Sequence, residues 1–227
     1  QVINFTETSA GGGYIREGDS MGDVYITKVL KRDATGAIAV AADGSLSSMD
    51  LPNGERLRIG NTNPDFTLGW RNNISWKGLN LSFLINARVG GIVTSETQAV
   101  LDQFGVSKAT ADARDRGYVE VAGGQRVDPQ KYYEVVANQQ LLGYYYYSAT
   151  NVRLQNVSLT YTLPKTLLGQ GWPGITVGFI ANNLWMIYNK APFDPEIAAS
   201  TGTYGQGSDY FSAPSLRNIG FSLKLNF

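Results

Sequence analysis

The chain has 227 residues with 19 acidic and 19 basic side chains, so its formal charge is zero and it carries no bulk signal for nucleic acid or acidic membrane surfaces. It has neither Cys nor His. That removes disulfides, thiol nucleophiles, imidazole bases and most zinc and haem sites.

Thirteen Tyr, four Trp and 26 Gly with only 17% charged residues fit a β-protein with aromatic girdles and long loops, and they fit a secreted sandwich equally well. No apolar run approaches the ~20 residues of a membrane-spanning helix. A closed barrel is then the remaining way to cross a bilayer. No signal peptide is visible and the chain begins at Gln1. The expectation is a processed start or a piece of a longer polypeptide.

In chain order, residues 1–22 are polar and Gly-rich, and residues 23–30 predict a strand with poor separation of its faces. Asp33 to Gly44 predicts a small hairpin or loop strand around Ile38-Ala39-Val40. Its Asp spacing is superficially that of a calcium loop but does not match an EF-hand, and solvated turns are the preferred reading. Ser45 to Pro64 is predicted as loop.

From Phe66 to Val89 the pattern is regular. Phe66, Leu68, Trp70, Ile74 and Trp76 share one face of a strand, opposite Thr67, Gly69, Arg71, Asn73 and Ser75. After a turn at Lys77-Gly78 the alternation resumes with Leu79, Leu81, Phe83, Ile85, Ala87 and Val89, Leu84 being the exception. A two-residue turn pairs Trp76 with Leu79, Ile74 with Leu81, Asn72 with Phe83 and Trp70 with Ile85. Each arm runs to about ten residues, where soluble strands are usually ~5–6 and tilted bilayer-spanning strands need ~9–11.

Periodicity is lost from Gly91 for about sixty residues, apart from a short predicted helix within 94–116 carrying Val100, Leu101, Phe104 and Val106. A loop of this length is functional or poorly ordered. It ends in Tyr144 to Tyr147, either a girdle at a membrane surface or a stacking platform, with the girdle preferred. Asn151 to Leu163 is a further crossing. Val152 and Leu154 are out of phase with Val157, Leu159 and Tyr161, which predicts a β-bulge near Gln155-Asn156. A short connection follows Pro164, then a strand from Ile175 to Trp185, a second long loop from Tyr188 to Ala213, and a last strand from Ser215 to Phe227. Short connections at 77–78 and 164–174 alternate with long ones at 91–150 and 186–214, as in outer-membrane barrels with short periplasmic turns. That assignment leaves the C-terminus in the periplasm.

Several stretches carry a resemblance: Ile59-Gly60-Asn61-Thr62-Asn63-Pro64-Asp65-Phe66, the Trp76-Lys77-Gly78-Leu79 turn, residues 152–165, Asn182-Asn183-Leu184, Asp194-Pro195-Glu196 and residues 220–227. In this order they resemble the C-terminal end of SusC/RagA-type TonB-dependent outer-membrane transporters, from about Ile59 onward. The resemblance implies an all-β fold, the C-terminal strands of a 22-stranded transmembrane antiparallel barrel. Residues 1–227 would form one C-terminal barrel segment without plug or TonB-contacting parts, belonging to a protein several times longer. It further implies import of glycans or peptides, a SusD-like lipoprotein partner, energisation by TonB through the plug, and an outer membrane of Gram-negative type. Phe227 takes the place of the terminal aromatic read by the barrel-assembly machinery.

Arg71 and Arg88, close to facing positions on the polar side, are candidates to touch substrate, although pairing with acidic lumen or plug residues is preferred. Trp185, Tyr188, Tyr204, Tyr210 and Phe211 are candidates to stack on sugar rings or to pack against other loops. Asp194 and Glu196 are read as ordering their loop rather than holding a metal. No catalytic residue, metal or cofactor is expected. The alternatives are an outer-membrane barrel enzyme or adhesin, restricted without His to carboxylate, Lys or Tyr chemistry, and a soluble β-sandwich.

Overall fold

The alternation between 66 and 89 produces a hairpin of two eleven-residue strands, β1 (Phe66–Trp76) and β2 (Leu79–Val89). Their register pairs Trp76 with Leu79, Ile74 with Leu81, Asn72 with Phe83 and Trp70 with Ile85, as the sequence predicts. Lys77 (φ 46°) and Gly78 (φ 85°) both take left-handed backbone, the requirement of a two-residue turn matched to strand twist. At Gly78 a side chain would also meet the carbonyl oxygen of Thr162 at 2.8 Å. A computed structural model of the chain describes residues 7–10, 13–168, 171, 173–196 and 207–227.

Three more strands extend the hairpin: β3 (Asn151–Thr162), β4 (Gly174–Asn189) and β5 (Asn218–Asn226). All neighbours are antiparallel and in sequence order, giving a five-stranded sheet with β1 and β5 at open edges. Together 64–91, 148–196 and 213–227 form one compact unit. β4 is longer than its periodicity predicts and β5 starts later. The 164–174 connection contains a short helix at Lys165–Leu168.

The other unit is built from 1–63, 92–147 and 197–212, segments that the periodicity leaves mostly as loop. The predicted strand at 23–30 is two strands. Asp23–Ile26 pairs with Leu57–Asn61, and Lys28–Leu30 pairs with Ser48–Asp50. The change of partner at Thr27 explains the poor facial separation, and both partners come from the stretch expected to be loop. Asp33 and Asp43 are turn residues. Asp33 accepts from the amides of Thr35 (2.8 Å) and Ala37 (3.1 Å), and Asp43 accepts from that of Ser45 (3.0 Å).

Three short helices appear where one was expected. α1 (Glu96–Gln103) is capped by Ser95, α2 (Lys108–Arg116) by Ser107, and α3 (Pro129–Val136) by Asp128, each side-chain oxygen accepting from an amide in the first turn. α1 and α3 contribute Ala99 and Val136 to a small core that also includes Leu30, Ile38, Val127, Leu141 and Tyr145. Within the tyrosine run, Tyr145 belongs to this core and Tyr147 packs against it, while Tyr144 stays exposed. The run lies on a 3-10 turn (Gln139–Tyr145) and a three-residue strand (Tyr146–Ser148), so its side chains do not alternate as on a membrane strand. Tyr145 is buried and donates its hydroxyl to Asp102 (3.0 Å), while the Tyr144 oxygen accepts from the Leu30 amide (3.4 Å). Burial first, and then the Asp102 carboxyl, push the Tyr145 phenol far above its ordinary range, which keeps it a donor. No described helix is long and apolar enough to span a membrane.

Candidate functional site on the polar face of the sheet

The sheet has two chemically distinct faces. On one, the register aligns Ile74, Leu81, Leu159, Phe179 and Phe221, and a second row aligns Trp70, Ile85, Leu154 and Trp185. A soluble sheet would bury such a face, yet Phe221 is 86% and Trp70 53% exposed. These rings pack on one another, Trp70 edge-on to Phe83 at 5.4 Å and Phe179 to Phe221 at 5.7 Å. Trp185 and Tyr188 fall on this apolar face, opposite Leu154 and Val152.

The predicted bulge keeps the faces consistent. Leu154 pairs with Ile85 and Asn156 with Leu84, so Gln155 is the extra residue. β4 is irregular at the same level, where Asn183 takes left-handed backbone (φ 50°), a conformation Asn tolerates. With one residue looped out, Val152 and Leu154 join Val157 and Leu159 on the apolar face. Asn151 and Arg153 join Asn156 and Ser158 on the polar face.

At the bulge the polar face carries a row across all five strands: Arg71, Leu84, Asn156, Asn182 and Asn218. Asn156 Nδ2 donates to Asn182 Oδ1 (2.7 Å), and one step away Asn86 donates to the carboxamide oxygen of Gln155. These residues line an open depression of about 380 Å³ with Arg71 exposed at one end. Carboxamides present donors and acceptors together without charge, so the row suits hydrogen-bonding partners of either polarity. Arg88 shares the polar face but pairs with Thr67 and Asn151, whereas Arg71 pairs with Leu84. The two arginines are four residues apart along the ribbon, about 14 Å at ~3.4 Å per residue. They do not face one another as the sequence reading expects.

Arg153, which the periodicity does not single out, is the buried charge of this face at 4% exposure. Its Nη2 lies 2.6 Å from Asp194 Oδ1 and 3.3 Å from Glu196 Oε2. Asp194 also accepts from the amides of Glu196 (3.1 Å) and Ser215 (3.3 Å). Burial alone would raise the Asp194 carboxyl, but the hydrogen bonds from Ser215 and Arg153 outweigh it and hold the group below the ordinary carboxylate range. The Asp-Pro-Glu stretch thus orders its loop, in keeping with its sequence reading.

Of the remaining candidates, Tyr210 and Phe211 lie in the helical unit. Both are exposed and edge-to-face at 5.3 Å, and the Phe211 amide donates to Thr97 Oγ1 (2.6 Å). Tyr204 lies outside the described residues. Phe227 follows the last paired residue of β5 and is fully exposed. Among the described residues no cluster of three or more metal-ligating side chains occurs.

No family model matches the chain. It is 26% identical to TonB-dependent receptor P3 of Formosa agariphila across 94% of its length, covering 23% of that protein. It is 27% identical to TonB-dependent receptor P39 of the same organism across 76% of its length, covering 17% of that one. The fold matches the RagAB peptide importer in its closed-closed state with a TM-score of 0.64 at 19% identity, over 100% of this chain and 25% of that one. The open-open state gives a TM-score of 0.61 at 18% identity, over 100% and 24%. The chain spans less than a quarter of the length of the two curated relatives. Two-faced strands, sequence matches and shared fold agree: the chain is similar in sequence to part of TonB-dependent receptors and shares the fold of part of the RagAB importer, as five antiparallel strands of a β-barrel that is left open here.

Proposed function

We propose that the chain is the C-terminal barrel segment of an active importer in the outer membrane of a Gram-negative bacterium. The importer takes up oligosaccharides or oligopeptides with a SusD-like surface lipoprotein, and TonB energises it through a plug supplied by another part of the polypeptide. The observation that carries this reading is the sheet itself, with large exposed apolar side chains on one face and a guanidinium and carboxamides on the other. Hydrocarbon accepts the first face and a hydrated lumen the second. The likeness to a peptide importer supports the transport class. In this reading Arg71, Arg88 and the carboxamide row meet substrate or plug, while Tyr204, Tyr210 and Phe211 serve on the loops. The turn at 77–78 and the C-terminus are periplasmic, and Phe227 is the assembly signal.

The test is uptake. A strain lacking the whole gene is compared with its parent for accumulation of labelled oligopeptide and labelled oligosaccharide, with and without a functional TonB. Loss of one of these, restored by the intact gene and dependent on TonB, supports the proposal. Equal uptake of both by the two strains overturns it.

A further inference from the structure

The helical unit holds a cavity of its own. α1, α2 and α3 contribute to a space of about 330 Å³ lined by Asp102, Thr110 and Tyr133, with exposed Phe104, Arg114 and Glu134 at its rim. The charges around it are incompletely matched. Asp102 is 5% exposed, and its carboxyl oxygens accept from Gln98 Nε2 (2.7 Å) and the Tyr145 hydroxyl (3.0 Å), both neutral donors. Arg114 donates Nη1 to the carbonyl of Gly105, and Glu134 accepts from Gln130 Nε2 (2.7 Å). None of the three forms an ion pair among the described residues. A buried carboxyl group with only neutral partners attracts a cation, and a guanidinium with unused donors attracts a carboxylate. Phe104, 73% exposed, adds apolar surface without a cover to the same lining.

We infer that this cavity binds a small zwitterion, a ligand with an ammonium and a carboxylate on an apolar body, such as a free amino acid or dipeptide. The ammonium lies toward Asp102 and Glu134, the carboxylate on Arg114, and the body against Phe104 and Tyr133. The volume sits near the lower end of ligand pockets, ~300–1,000 Å³, which limits the occupant to one or two residues. A neutral sugar leaves all three charges unmatched. A simple cation leaves Arg114 unmatched, and a dianion is repelled by two carboxylates. The assignment goes beyond the import reading, because it holds whether or not the bound molecule is the one transported.

Calorimetry on the purified full-length transporter tests it, with glycyl-phenylalanine, its N-acetyl form, its C-terminal amide and maltotriose as probes. Glycyl-phenylalanine is expected to bind saturably and maltotriose not to bind. Blocking either terminus weakens binding by about tenfold or more, the loss that follows removal of a charged hydrogen-bond partner. Arg114→Gln weakens glycyl-phenylalanine but not its amide, and Glu134→Gln weakens it but not the N-acetyl form. Both side chains are exposed, so neither change threatens the fold. Failure of glycyl-phenylalanine to bind the wild type, or equal affinity for free and blocked forms, overturns the assignment. Binding that persists while uptake proves independent of the gene overturns the import reading alone.

Discussion

Replacing Trp70 with arginine separates a hydrocarbon-facing sheet from a water-facing one. β1 has eleven residues from Phe66 to Trp76, both apolar-face aromatics. Its ten steps of ~3.4 Å, tilted by ~40°, span about 26 Å along the barrel axis, close to the ~25 Å apolar band of outer-membrane barrels. Trp70 is four steps from Phe66, which puts it about 10 Å inside that band by the same arithmetic. An arginine near the midplane of such a face costs ~2–4 kcal/mol. Loss of the edge-on Trp70–Phe83 contact at 5.4 Å adds ~0.5–1.5 kcal/mol. The sum is about 2.5–5.5 kcal/mol, roughly seventyfold to ten-thousandfold in the folding equilibrium. If water covered this face, a residue 53% exposed would accept arginine within ~0.5 kcal/mol. Asn73→Arg on the polar face is the control. The assay is urea unfolding of the full-length protein in phospholipid vesicles, with folded fraction read from the gel mobility of unheated samples. A Trp70→Arg midpoint equal to that of Asn73→Arg refutes the two-solvent account of the sheet.

Deleting Gln155 removes the phase correction, so either Arg153 and Asn151 or Asn156 and Ser158 must turn to the apolar face. The expected outcome is loss of the heat-modifiable folded band, whereas Gln155→Ala keeps the register and loses only the bond from Asn86, ~1 kcal/mol. Arg153→Gln leaves the half-buried Asp194 without its cation, costing ~1.5–3 kcal/mol, and protease nicking between residues 190 and 214 should accelerate at neutral pH. In the wild type, the depressed Asp194 carboxyl contributes stability that is fully present above the ordinary Asp value of 3.8 and is lost as pH falls through the lower folded value. Acid-stable proteases should therefore find that loop protected at pH 5 and progressively exposed below pH 4. Tyr145→Phe withdraws a donor from buried Asp102, an expected loss of ~1–3 kcal/mol, read as faster amide exchange in α1 and α3 with the sheet unaffected.

The legible parts of the fold are those where two solvents impose a strict period. The β1–β2 register and the bulge at Gln155 follow from alternation alone, because one slipped residue would exchange every side chain between faces. The helical unit was less legible because its helices have eight or nine residues and its strands two to five, too short for a period to accumulate. Its starts were nevertheless written as caps: Ser95-Glu96, Ser107 and Asp128-Pro129. At the candidate site Arg71 and Arg88 were found on the correct face but at the wrong separation, since pairing a turn at 77–78 places residue 71 opposite 84 and not 88.

Arg153 went unnoticed for a reason that also shows what the bulge does. In an unbroken alternation with Val157 and Leu159, residue 153 would point toward hydrocarbon, where a guanidinium is costly. The looped-out Gln155 reverses the phase upstream of it, so the same residue reaches the polar face and its ion pair with Asp194. Asp194 in turn accepts from the amides of Glu196 and Ser215, at the start of the second long loop and just before β5. A correction that serves membrane compatibility thereby also anchors the chain as it leaves β4 and approaches β5. The carboxamide row runs along the same level of the sheet, through Asn156 and Asn182. Loop anchoring and the polar lining of the wall thus share one local cause, a single extra residue in β3.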